Sequence, residues 1–383
     1  MKFIMISEVH PGGTIRRHHE IYLNDPRKVP SKKDEVDRST SNQKIKGLVY
    51  NRKNRDDKNM RNRSLVIRRL GMERSEIINW LLEGDVSIQY QTHRDLLKSE
   101  LEMLIPLKKR IATEGWGYEF LKRQHPEGYW GRAFYQPKWT STNYTLLDLR
   151  NLCAPSTTEI MKALNVIVET CKGADGSING FVSVPESDMC INGMFLNYAC
   201  YFGIEEEKIK SVVDFVISQQ MKDGAFNCRL NRYGAKHSSM HTTINTLEGI
   251  REYIIQGYGY RQKELIAIEM EASEFLIRHH LFRSDRTSEI INPAMLHIAY
   301  PTRWKYDILR ALEYFRKAEA PYDVRMQEAL DVVYKKRTSD GRWKVPAHYP
   351  GSEVHFEMEQ AGKVSRWNTL RAMRVLDYFH DIK

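Results

Sequence analysis

Apolar residues recur along most of this chain at i, i+3, i+4 and i+7, the spacing that gives an α-helix one buried face. In EEKIKSVVDFVISQQ the stripe includes Val212, Phe215 and Val216, and TTEIMKALNVIVETC and DVRMQEALDVVYKK repeat the pattern. SEIINWLL and SIQYQTHRDLLKSELEML add helices near the start of the patterned region. No alternating run is long enough for a useful strand. The periodicity predicts about twelve helices, or six pairs, and an all-α fold.

The pairs belong to an internal repeat of roughly 50 residues. Each unit opens on a glycine turn followed by an aromatic or apolar residue: Gly128-Tyr129-Trp130, Gly176-Ser177-Ile178, Gly224-Ala225-Phe226 and Gly341-Arg342-Trp343, with a degenerate copy at Ser284-Asp285-Arg286. Further on comes a helix with a common core of a polar residue, any residue, Leu or Met, then small and apolar residues. Its copies start at Tyr144, Asn192, Asn245, Asp307 and Asn368. Stacked helix pairs either form an open superhelix or close on themselves.

Composition adds one boundary. Of 59 Lys and Arg, 18 lie in residues 1–71 with 8 of the 49 Asp and Glu, which leaves 41 of each sign in residues 72–383. The net charge of +10 therefore belongs to a polar segment poor in apolar periodicity, expected to be a disordered basic extension. The rest, 72–383, is electrically balanced, and no nucleic-acid partner is expected for it. Nothing approaches the roughly 18 apolar residues of a membrane span, and no secretory signal is evident. The five cysteines are odd in number and form no CxxC pair, which suits a reducing, cytoplasmic setting.

Gln124-(three residues)-Gly128-Tyr129-Trp130 and Gln220-(three residues)-Gly224-Ala225-Phe226 resemble the QxxxGxW turn of terpene cyclases, and the DGxW/F turns resemble those of protein prenyltransferase β-subunits. The resemblance spans residues 74–383 and implies closure into an (α/α)6 toroid. The turn aromatic would stack on the preceding helix and the glutamine would cap a neighbouring one. The repeat cores would be the inner helices, parallel, with their N-termini gathered at one end of a central funnel.

Counting back four residues from the markers Asn192 and Asn245 gives Asp188 and His241, equivalent positions on adjacent inner helices, with Cys190 beside them. Carboxylate, thiolate and imidazole with one open position suit a catalytic zinc. The stretch DMCINGMFLNYACYFG and the later MHTTINTLEGI resemble the zinc-binding part of prenyltransferase β-subunits, which implies Asp188, Cys190 and His241 as ligands. The function so implied is transfer or processing of an isoprenoid or other apolar substrate, a small or lipid-like molecule, with a thiol or peptide as acceptor. The family's basic diphosphate clamp is missing from GFVSVPES; Arg229 and His237 in the next loop and Arg303 before the following inner helix are the substitutes. Tyr144, Trp304 and Trp367 are aromatic candidates for the funnel wall, and Asn192, Asn245 and Asp307 polar ones. Two other readings stand beside this one: a metal-independent cyclase, lyase or hydrolase on the same barrel, although no DxDD acid motif occurs, and a non-catalytic helical-repeat binding protein.

Overall fold

The computed structural model describes residues 73–180, 186–346 and 353–381, the side chains of Arg232 and Asp381 excepted. The extension assigned to residues 1–71 lies outside them. Helix follows helix as the periodicity requires: α1 (73–82), α2 (Val86–Thr92, running on through a π-turn to Leu97), α3 (Leu101–Arg110), α4 (Gly115–Leu121), α5 (Thr142–Asn151), α6 (Thr158–Thr170) and α7 (Met189–Phe202). Then come α8 (Glu206–Ser218), the short α9 (Leu230–Tyr233), α10 (Met240–Ile255), α11 (Gln262–Arg278), α12 (Ile308–Lys317), α13 (Gln327–Lys335) and α14 (Arg366–Asp381). A two-residue antiparallel ladder pairs Trp343–Lys344 with Val364–Ser365.

Six of these form a closed inner ring. α5 packs on α7, α7 on α10, α10 on α12, α12 on α14 and α14 on α2. The Gln91 amide of α2 reaches the Asn151 carbonyl of α5 at 3.0 Å, and Arg374 of α14 reaches Gln91 at 2.9 Å. The intervening helices flank the ring: α8 packs on α7, α11 on α10, and α13 on both α12 and α14. The fold is the all-α (α/α) toroid expected from the repeat.

The turns show why these residues recur. The Trp130 amide donates to Thr142 Oγ1 (2.9 Å), Ile178 to Asn192 Oδ1 (2.7 Å), Phe226 to Thr243 Oγ1 (3.3 Å) and Trp343 to Thr369 Oγ1 (3.0 Å). Each turn is thus pinned to the first turn of the inner helix that follows it, where backbone donors would otherwise lack partners. The indoles of Trp130 and Trp343 are buried and donate backwards to the carbonyls of Phe120 and Val333 at 2.7 and 2.8 Å. Gln124 donates to Gly128 O and to Glu159 O in the first turn of α6; Gln220 donates to Gly224 O and to the Glu271 carboxylate.

The tightest contact in the ring is between α7 and α10, and glycine makes it possible. A Cβ on Gly193 would lie 2.7 Å from the Asn245 carbonyl oxygen, and one on Gly249 would lie 2.4 Å from the Gly193 carbonyl oxygen. This backbone-to-backbone approach draws together the N-terminal ends of α7 and α10, which carry the residues singled out for chemistry.

Candidate functional site at the mouth of the ring

The N-termini of the inner helices frame one mouth of the toroid, and residues 298–306 close it from below. The side chains of Asn368 and Arg371 (α14) donate to the carbonyls of Ile298 and Ala299; Arg310 (α12) donates to those of Arg303 and Lys305; Asn245 (α10) donates to that of Trp304. Arg303 itself is buried in an ion pair with Asp148 on α5. A segment held by four of the six inner helices lies across the ring. It forms a floor between the mouth and the interior.

Two cysteines meet at the mouth. Asp188 takes the N-cap position of α7 and Cys190 lies in its first turn. Cys228 comes from the loop before α9. Its amide donates to the hydroxyl of Thr242 in the first turn of α10 at 3.1 Å, and that hydroxyl also contacts both sulfurs. The two thiols interact directly, and that contact, with help from Thr242, brings the Cys228 thiol down to about 6 while the same contact and burial push Cys190 up. Cys228, the more acidic of the pair, is only partly buried. Thiolates are the reactive form of cysteine.

Around the pair stand aromatic rings and two ammonium groups. The Tyr135 and Tyr144 hydroxyls are 2.8 Å apart, and burial, with the nearby cysteines and Asp188, holds Tyr135 protonated well above the usual tyrosine range. Lys138 Nζ stands 5.2 Å from the ring centres of both Trp139 and Trp304, and Lys305 Nζ stands 5.6 Å from that of Trp304. Burial and the repulsion of Lys305 push the Lys138 ammonium down. The Trp304 indole N–H is buried with no hydrogen-bond partner among the described residues. A small cavity of about 70 Å³ lies beside Trp139, Arg303, Phe356 and Glu359.

The structure distributes the predicted site residues unevenly. Asp188 and Cys190 do lie together at the mouth. His241 does not join them: its Nδ1 accepts the Tyr306 amide at 2.8 Å, its ring sits edge-on to Trp304, and burial lowers it to about 4. Among the described residues no three His, Cys, Asp or Glu side chains are placed to share a metal ion. Asn192 and Asn245 are fully buried, and their amides bridge helix starts to the carbonyls of Ile178, Asp188, His241 and Trp304, so they brace the wall from within. Asp307 caps α12 through the Arg310 amide (2.9 Å), and burial raises it to about 6. Arg303 pairs with Asp148 and lies over the Trp139 face (5.5 Å). Arg229 is exposed beside Tyr233, and His237 is exposed with its carbonyl bound by Asn227. Tyr144 and Trp304 do border the site, whereas Trp367 packs on Tyr300 at 4.6 Å beneath the floor.

Sequence reasoning missed Cys228, Lys138, Tyr135 and Thr242. The first three lie in loops between repeat landmarks. The available signal was the cysteine two residues after Phe226, at the end of a recognised turn.

No protein-family profile matches the chain, and no curated protein matches it. Among solved structures it is similar to a family 88 glycosyl hydrolase from Bacteroides vulgatus, at 10% identity over 77% of this chain and 90% of that one, with a TM-score of 0.45. It is also similar to a polysaccharide lyase (12% identity, 80% and 96% covered, TM-score 0.43). A type II terpene cyclase from Scytonema matches at 14% identity over 70% and 82%, with a TM-score of 0.37. The assignment of a closed toroid rests on the ring of helix contacts itself.

Proposed function

We propose that this toroid is an enzyme of the hydrolase or group-transferase class, acting at its mouth on a small anionic substrate. Cys228 is the nucleophile and Tyr135 the proton donor. The observation that carries this reading is the coupling of Cys228, Cys190, Asp188, Tyr135 and Lys138, contributed by separate segments, at one partly open site. Groups perturbed together in this way mark functional sites more often than structural ones.

Each role follows from the chemistry of the group. The Cys228 sulfur forms a bond to the electrophilic centre, and the bond to the leaving group breaks. The leaving group takes its proton from the Tyr135 hydroxyl, which stays protonated in this site. Water or a second acceptor then releases the substrate fragment from sulfur and its proton restores Tyr135. Lys138, Lys305 and the Trp304 N–H supply the anion site, because both ammonium groups stand against the Trp304 ring, whose buried N–H has no partner among the described residues.

The test is the pH profile of Cys228 alkylation by iodoacetamide, read by peptide mass. Half-maximal rate near pH 6, moving up in Cys190→Ala, is the expected result. A profile centred above pH 8 in the parent would sink the nucleophile. Zinc content, measured alongside, tests the transferase reading: about one ion per chain, lost in Cys190→Ala and His241→Ala, would replace the thiolate mechanism by a metal-centred one.

A further inference from the structure

Below the floor the ring encloses a second cavity of about 350 Å³, unrelated to the thiol chemistry above it. It lies toward the C-terminal ends of the inner helices, where Arg150, Tyr201 and Lys317 line it. Its volume falls within the range of small-molecule sites.

The wall is charged, and the charges do not cancel. Arg94, Arg374 and Arg371 share two carboxylates, Asp95 and Glu313. Arg150 and Lys317 share one, Glu252. Arg310 and Glu248 match one to one, and Arg251 is matched from behind by Glu269. The Arg316 side chain makes no hydrogen bond or close ion pair among the described residues, its Nε is buried without a partner, and Asp95 and Glu313 act on it only at longer range. Three cations to two acids, two to one, and one to none leave the lining positively charged, with buried Asp307 beside Arg371 and Arg310 as a further acid. The remaining acid of the wall, Glu319, is exposed.

Surplus charge of one sign in a partly desolvated cavity is unfavourable unless a counter-charge enters. The Arg150 Nε and the Tyr300 hydroxyl are likewise buried donors without partners. Guanidinium groups hold phosphate and carboxylate oxygens in paired hydrogen bonds. We infer that the interior cavity is a binding site for a compact polyanion, a polyphosphate or a tricarboxylate. Arg316 is its unpaired anchor, and Arg94, Arg374 and Lys317 complete the cradle.

The experiment is isothermal titration of the full chain at fixed ionic strength with inorganic tripolyphosphate and, separately, citrate. Both carry several charges but differ in oxygen chemistry, so the tighter one identifies the source. One saturable site is expected. Arg316→Gln should weaken it by about tenfold or more, and should leave the unliganded protein as stable as the parent or more so, because it removes surplus charge. Lys317→Met should weaken it too, since Arg150 still neutralises Glu252. Lys138→Ala should leave it unchanged. No saturable binding of either anion, or equal binding in Arg316→Gln, would overturn the inference. Loss of binding in Lys138→Ala would do so as well, by placing the anion at the mouth.

Discussion

Replacing Arg303 by Met tests the floor that separates the two compartments. Asp148 is fully buried on α5, and burial raises it from 3.8 to about 6 even with the Arg303 guanidinium against it. Because the folded state binds this proton more tightly than the unfolded chain does, stability falls as pH rises from 3.8 to about 6. At about 1.4 kcal/mol per pH unit, the loss from this group is about 3 kcal/mol, complete above pH 6. Removing Arg303 takes away the one opposing charge, so Asp148 titrates higher still and the loss extends into neutral pH. We expect Arg303→Met to lower unfolding free energy by about 3–5 kcal/mol at pH 7.5. At pH 5 Asp148 is already protonated in both proteins, and the difference should shrink to about 1 kcal/mol of lost packing. Asp148→Leu combined with Arg303→Met should regain most of the deficit. Urea unfolding followed by tryptophan fluorescence at the two pH values gives the comparison. A loss that is equal at pH 5 and 7.5, or below about 1 kcal/mol at both, would mean that the pair is solvated and that the floor is held by its backbone bonds alone.

Three further outcomes are expected. Gly193→Ala sets a Cβ 2.7 Å from the Asn245 carbonyl oxygen; α7 and α10 must part, and thermal unfolding should show a loss of about 2 kcal/mol or more with altered alkylation of Cys228. Trp343→Phe removes the 2.8 Å indole bond to the Val333 carbonyl, which keeps the Lys336 amide as donor, and should cost about 0.5–1.5 kcal/mol in urea unfolding. Burial opposes ionisation of Glu313, but Arg371 and Arg374 win and hold it at about 2, so its stabilisation is present above 4.5 and lost as pH falls from 4.5 to 2. Glu313→Gln should therefore destabilise by about 3–5 kcal/mol at pH 7 and by far less at pH 3. A deficit independent of pH would argue against the ion pair.

The repeat made the ring legible because each of its marks has one local job. Trp130 and Trp343 must hydrogen-bond the helix before them, and Thr142, Asn192, Thr243 and Thr369 must receive the turn amide that precedes their own helix. Such bonds close over short sequence distances, so spacing reveals them. The chemistry was legible only where it shares that register: Asp188 and Cys190 begin an inner helix and do lie at the mouth. Arg303 looked like a clamp because nothing near it in sequence opposes its charge; its partner is 155 residues away. Cys228 looked idle for the converse reason, since its own tie to the ring is an amide bond to Thr242, fourteen positions on, outside any repeat landmark.

This division follows from how a closed ring is built. The inner-helix positions brace one another, so most polar residues there are consumed by structure, as the buried amides of Asn192, Asn245 and Asn368 are. Loops between repeats carry no such duty and are the segments that can bring Cys228, Lys138 and Tyr135 over the mouth. Reactive groups are then expected to vary with the loops while the ring persists, which is why a recognised fold left the chemistry open. His241 illustrates the limit: it occupies the position on α10 that the repeat makes equivalent to Asp188, yet the floor's Tyr306 amide claims its Nδ1. Equivalence within a repeat sets the height of a residue in the ring, and the neighbouring loops decide what it touches.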